Sequence, residues 1–298
     1  MKFTVSAIAL ALALSSLVSA QQDFSKVKIE TVDVAPGVHM LVGSGGNIGV
    51  SSGSDGVLLI DDQYAPLTEK IKAAVSVISK ERIRFVVNTH WHGDHTGGNE
   101  NLGNAGAILV AHENVRRRMS KEQVSEFFKD TTPASPAVAL PVMTFAADVS
   151  FHVNGDELHV FHVDPAHTDG DSIIQWKNAN VFHMGDLFFA GGFPFIDLES
   201  GGSIDGVIAA ADKVLALAND GSKIIPGHGP LSSKKDLTAY RDMLKTVRTR
   251  IHSLVTSGKS LDEVKTSRPT KDWDDTLGKG FINGDQFTEF VYRGLAKK

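Results

Sequence analysis

The stretch THWHGDHTGGN, residues 89–99, constrains this chain more than any other. It places His90, His92, Asp94 and His95 within six residues. A hydrophobic core rejects that much polar chemistry, and a solvated loop does not need it. In an extended segment alternate side chains share a face, so His90 and His92 can reach one metal ion together. Asp94 continues the alternation. His95 breaks it, so a turn begins there and directs His95 elsewhere. Two adjacent metals use this arrangement economically, with His90 and His92 on one, and Asp94 and His95 on the other. Neutral imidazole and carboxylate are ordinary zinc ligands, and they also suit iron and manganese. The chain has no cysteine, so no thiolate can contribute. The fold must therefore bring further histidines or carboxylates from distant segments to the same place.

Three candidates stand at expected strand ends or turns. They are His167 in DPAHTDGDS, Asp186 in HMGDLFF and His228 in IIPGHGP. His162 and His183 alternate with apolar residues and read as half-buried strand histidines. His39, His112, His152, His159 and His252 fit no ligand motif. Imidazole ligands need partners on their other ring nitrogen. Asp61 or Asp62, ending VLLIDD, can serve, or these aspartates can simply close a strand in a turn. Thr89, Thr168 and Asp171 are further candidates. Phe188, Phe189, Phe193 and Phe195 cluster after Asp186, where one or two can line a pocket and the rest pack the core.

Glycine-separated strands are expected in VHMLVG, NIGVSSG and GVLLID, with a mobile GSGGN loop at 43–47. A helix over 65–80 precedes a strand at 83–87, and the quoted motif follows at its end. Residues 112–130 read as helical and 131–137 as a loop. The loops at 43–47 and 131–141 are candidate lids. Strands return in DVSFHV, LHVFHV, SIIQWK and NVFHMGD. Helices are expected over 207–217 and 237–255, with a short strand end at 223–226. Two successive β-rich halves with interspersed helices imply a layered α/β domain with paired sheets inside.

The N-terminus, MKFTVSAIALALALSSLVSA, has the layout of a secretory signal peptide over residues 1–20. The expected mature domain is 21–298, periplasmic or secreted, without stable membrane insertion. Without Lys2 the chain has 29 basic and 35 acidic residues, a side-chain charge of −6. That balance argues against nucleic acid as a partner and leaves a small-molecule substrate. Oligomeric state is not legible.

HWHGDH at 90–95, AHTDGD at 166–171, GD at 185–186 and PGHG at 226–229 together resemble the metallo-β-lactamase superfamily. The resemblance implies an αββα sandwich: two mixed β-sheets flanked by helices, with metals at one edge. It implies His90, His92 and His167 on a first zinc ion, Asp94, His95 and His228 on a second, and Asp186 bridging them. It further implies a dinuclear hydrolase in which a metal-bridging hydroxide attacks a carbonyl, with Asp94 orienting the nucleophile. Paired metals bring the pKa of bound water from about 16 towards about 7. Asp186 stands where the cysteine-containing β-lactamases carry a thiolate, and Phe189 where they carry a substrate-anchoring lysine. The full ligand set resembles glyoxalase II, a thioester hydrolase, although residues 260–298 lack a basic glutathione-binding pattern. The expected activity is carbonyl hydrolysis, with β-lactams among the candidate substrates. Alternatives are a thioester or lactone hydrolase, a mononuclear iron persulfide dioxygenase and a non-catalytic metal-binding module.

Overall fold

The computed structural model describes residues 23–296. The expected signal peptide over residues 1–20 lies outside them. The first sheet is built from β1 (Glu30–Ala35), β2 (Val38–Val42), β3 (Ile48–Gly53), β4 (Gly56–Ile60), β5 (Ile83–Asn88) and β6 (Ile108–His112). A small hairpin of β7 (Gln123–Ser125) and β8 (Asp130–Thr132) follows, and β9 (Met143–Phe145) then returns to the first sheet. The second sheet contains β10 (Asp148–Val153), β11 (Asp156–His162), β12 (Ser172–Trp176), β13 (Val181–His183), β14 (Lys223–Ile225) and β15 (Ser232–Ser233). The sheet orders are β1-β2-β3-β4-β5-β6-β9 and β10-β11-β12-β13-β14-β15. Both are mixed: β1 to β4 pair antiparallel and β4, β5, β6 and β9 parallel, while β13 and β14 form a parallel pair in an otherwise antiparallel sheet.

Side-chain alternation creates the layers. In β4, Leu58 and Ile60 face the second sheet and join Leu158, Val160, Ile174 and Trp176 in the central core. Val57 and Leu59 face the other way, onto Leu67, Ile71 and Val75 of the helical layer around α1 (Thr68–Ile78). In β12, Ile174 faces inward and Ile173 outward. The outward set packs beneath α5 (Ile204–Leu217), α6 (Lys234–Thr256) and α9 (Gly284–Ala296), through residues such as Val207, Leu244 and Phe287. The result is helix, sheet, sheet, helix. Short helices complete it: α2 (Gly93–Thr96), α3 (Asn99–Asn104), α4 (Glu113–Met119), α7 (Leu261–Thr266) and α8 (Asp274–Leu277). Among the described residues, no helix is long and apolar enough to cross a membrane.

The expected helix over 112–130 is corrected. Only α4 is helical, and the chain then forms the β7–β8 hairpin. No glycine or proline marks this stop. Phe127 instead packs 5.1 Å from Phe195 and 5.2 Å from Phe290, and Lys129 turns at φ 52°. Tertiary aromatic contacts override local helix preference. The GSGGN loop, expected to be mobile, is tied by hydrogen bonds to both sheets' loop ends. Gly46 N donates to Asp94 O, Gln63 Nε2 to Gly46 O, and Asn47 Nδ2 to the carbonyls of Pro226 and Gly229.

Candidate metal centre

Strand ends of both sheets deliver the polar residues to one edge of the sandwich. His90 follows β5, and His92 leads into α2, which carries Asp94 and His95. His167 lies in the loop after β11, Asp186 just after β13 and His228 just after β14. His90, His92, His167 and Asp186 offer ligand atoms within 4.8 Å of one another, as do Asp94, His95 and His228. The structure thus brings together all seven residues singled out by the sequence.

Asp186 faces both groups. Its Oδ2 lies 3.9 Å from His90 Nε2 and 3.5 Å from His167 Nε2. Its Oδ1 lies 3.0 Å from His95 Nε2 and 3.3 Å from His228 Nε2. Asp94 Oδ2 closes the second group, 3.6 Å from His95 Nε2 and 3.3 Å from His228 Nε2. Ligands about 2.0–2.1 Å from a tetrahedral ion stand about 3.3 Å apart, so these separations fit two small cations.

Hydrogen bonds on the opposite ring edges orient the imidazoles. His95 Nδ1 donates to Asp61 Oδ2 at 2.8 Å, and His92 Nε2 to Asp197 Oδ2 at 3.0 Å. His167 Nδ1 donates to the Phe195 carbonyl at 2.8 Å. Thr89 gives its hydroxyl proton to Asp61, so its oxygen accepts from His90 Nδ1 at 3.0 Å. These bonds leave His90 Nε2, His92 Nδ1, His95 Nε2 and His167 Nε2 as lone-pair donors aimed inward. His92 Nδ1 is 3.1 Å from His90 Nε2 and 2.9 Å from His167 Nε2. Lone pairs converging that closely repel unless a cation lies between them. The donor set therefore fits divalent metal.

The electrostatics point the same way. Burial pushes His90 well below the usual histidine range, with His95 adding to the effect, and burial brings His167 down to about 4 against the pull of Asp186. Neutral imidazole is the ligating form. Burial also opposes a charge on His95, but Asp186, Asp94 and Asp61 outweigh it and hold that ring well above its usual range. Burial opposes the Asp186 anion, yet His228 and His95 keep its carboxyl well below the usual range. Positive charge is what this pocket is built to hold.

Asp61 takes the His95 partnership; Asp62 instead accepts from Gly98 N and fixes the turn after the motif. Asp61 sits at φ 64°, a backbone conformation costly for aspartate and found where a site demands it. Asp171 accepts from the backbone of His167 and Thr168 and from the Thr168 hydroxyl, holding the His167 loop. His162 is half-buried and stacked on His112 at 3.7 Å. His183 is fully buried rather than half-buried, bonded to Asn47 O. Phe188 packs on Tyr240 and Phe193 on Phe287 in the core, whereas Phe189 and Phe195 line the cleft. Phe189 stacks on His228 at 5.1 Å. Sequence reading missed Asp197, the Phe195 carbonyl and the wall residues Tyr64 and Trp91. For Asp197 the available signal was a polar turn, DLESGG, interrupting an apolar run.

Comparison with known proteins agrees with this geometry. A hydroxyacylglutathione hydrolase of Nitrosococcus oceani is 25% identical over 178 residues, 59% of this chain and 60% of that protein. The chain thus spans about three fifths of that relative's length. The solved metallo-beta-lactamase from Pontibacter korlensis superposes with a TM-score of 0.60 at 20% identity, covering 73% of this chain and 99% of that one. The sec-alkylsulfatase Pisa1 from Pseudomonas sp. gives a TM-score of 0.68 at 18% identity over 89% of this chain and 50% of its own. These two likenesses concern the fold. The sequence profile of the metallo-beta-lactamase superfamily matches residues 43–228, and with its αββα layers and edge-on histidine–aspartate cluster this chain belongs to that superfamily.

Proposed function

We propose that the chain is an exported dinuclear zinc hydrolase that cleaves an amide, lactam, ester or thioester carbonyl, its residues 21–298 forming one hydrolase domain. The observation that carries this reading is Asp186, whose two carboxylate oxygens each face one histidine group. His90, His92 and His167 would hold one ion, Asp94, His95 and His228 the other, and Asp186 both. When bound, such a pair acidifies water and polarises a carbonyl.

The protein's own groups supply position. Asp61, Asp197, Thr89 and the Phe195 carbonyl lock the imidazole rings in one tautomer each. Asp94 lies on the cleft wall, more exposed than Asp186, so its carboxylate can orient a water against a bound substrate. Tyr64 lines the same wall. No serine or cysteine nucleophile is required.

Thioesters and lactones rank ahead of β-lactams. The ring of Phe189, flat against His228, occupies the position where the sequence resemblance would put a lysine anchor. The relationship to a hydroxyacylglutathione hydrolase supports acyl transfer to water. The test is hydrolysis of a β-lactam, thioester and lactone panel by the zinc-loaded mature protein beside Asp94→Asn with its metal content measured. Turnover lost by about 100-fold or more in Asp94→Asn supports the proposal. Protein with two metals bound and no turnover on any class overturns it.

A further inference from the structure

The cleft over the metal centre has a volume of about 560 Å³ and is lined by five carboxylates, those of Asp94, Asp130, Asp186, Asp197 and Glu199. No lysine or arginine lines it. Two arginines near the cleft are committed to carboxylates, while Lys129, in the hairpin turn between Phe128 and Asp130, is exposed and does not line it. Arg118 grips both oxygens of Asp169 at 2.7 and 2.8 Å, and Arg293, in the adjoining cleft, is held by Glu289. Two divalent ions would add four positive charges against these five carboxylates and Asp61 behind them. Away from the ions, a substrate carrying its own carboxylate finds no lysine or arginine on the lining and meets Asp130, Asp197 and Glu199.

The rest of the wall mixes neutral polar side chains such as Ser44, Gln123 and Thr132 with aromatic ones, and its rim carries exposed apolar side chains. Val124 and Phe128 on the β7–β8 hairpin are 61% and 51% exposed, and the neighbouring Phe281 is 65% exposed. Phe128 and Phe281 are the two phenylalanines among the large apolar side chains left exposed in the described residues. They are not scattered: Phe128 and Phe281 lie nearly parallel with ring centres 6.0 Å apart, and Phe128 stands 5.5 Å from Phe195 at the cleft floor. Glu199 fixes the hairpin over the metal edge by accepting from Glu126 N at 3.1 Å. Contiguous exposed aromatics beside a reactive centre mark a surface that a ligand covers.

We infer that the site takes uncharged carbonyl substrates with a long apolar acyl arm, laid against the contiguous rings of Phe128, Phe281 and Phe195, and discriminates against substrates bearing a carboxylate. This inference rests on the hydrolytic reading above. Specificity then comes from two sources of different kind: an aromatic rim that rewards chain length, and an acidic wall that penalises negative charge.

The test uses four thioesters and the zinc-loaded mature protein: acetyl and octanoyl groups, each on N-acetylcysteamine (uncharged) and on 3-mercaptopropionate (anionic). The uncharged octanoyl thioester is expected to exceed its anionic counterpart, and the uncharged acetyl thioester, by about tenfold or more in kcat/KM. Phe128→Ala should lower the octanoyl-to-acetyl ratio. Val124→Lys, an exposed position on the hairpin, should raise kcat/KM for the anionic octanoyl thioester by about tenfold, with the gain falling as salt rises. Equal or faster hydrolysis of the anionic compounds overturns the charge discrimination and leaves the hydrolase standing. Absence of any chain-length preference overturns the aromatic seat. Turnover of none of the four, with two metals bound, strikes the hydrolytic reading itself and removes this inference with it.

Discussion

At the scale of single residues, the metal edge is held by contacts with little slack. Gly46 shows this most plainly: a Cβ there would stand 2.1 Å from His95 Cε1. Gly46→Ala should displace His95 and leave the second metal weakly held, which metal analysis after dialysis would show as a stoichiometry near one instead of two. Retention of two ions would mean that the 43–47 loop can yield. Asp197 acts at one remove, through the His92 Nε2 proton. Asp197→Asn is expected to weaken zinc binding about 10–100-fold, read by competition with a chromophoric chelator. An unchanged affinity would reduce Asp197 to a loop-forming residue, through its bonds to the backbone of Glu199 and Ser200.

At the scale of elements, packing and capping do separate work. Trp176 ends β12 fully buried between the sheets, with no hydrogen-bond partner for its indole nitrogen. Its contribution is therefore packing, and Trp176→Ala should cost about 3–5 kcal/mol in chemical denaturation. Helix α7 begins with a reciprocal cap in which Ser260 accepts from Glu263 N and the Glu263 carboxylate accepts from Ser260 N. The Lys259 ammonium and the Ser260 donors bring Glu263 from its ordinary 4.5 down to about 2. A carboxylate depressed in the folded state stabilises fully above its unfolded pKa. Here that contribution is complete above about pH 4.5 and fades as pH falls through about 2. Glu263→Gln should therefore lose stability relative to the parent at pH 6, and the difference should close between pH 4.5 and 2. A difference independent of pH would assign the effect to helix propensity. The β7–β8 hairpin shows the limit of local reading, since VRRRMSKEQVSEFFKD carries a helical pattern and only Phe195 and Phe290, distant in sequence, decide otherwise.

At the scale of the whole molecule, the metals and the fold are thermodynamically linked. The ligands come from loops after β5, β11, β13 and β14, so an ion bound there ties both sheets and is released on unfolding. Zinc at about a hundredfold excess over its Kd should add about 2.7 kcal/mol, on the order of 5–10 °C in Tm for a chain of this size. Thermal denaturation with and without a strong chelator checks this. Identical melting curves would mean that the seven donors are organised without holding metal.

The sequence by itself determined the donor chemistry: HWHGDH, the absence of cysteine, and the loop positions of His167, Asp186 and His228 were readable because ligand identity and short spacing are local properties. Strand alternation was readable for the same reason, since period two reports which face is buried. The tertiary structure alone decided which carboxylate serves which imidazole. Asp61 rather than Asp62 meets His95, and Asp197 meets His92 from 105 residues away. It alone decided that the stretch after Met119 crosses the metal edge as a hairpin, and that two exposed phenylalanines from distant segments meet there. Such pairings depend on how loops from two sheets converge in space, and a hydrogen-bond acceptor or an aromatic face carries no mark in the sequence of the partner it will find.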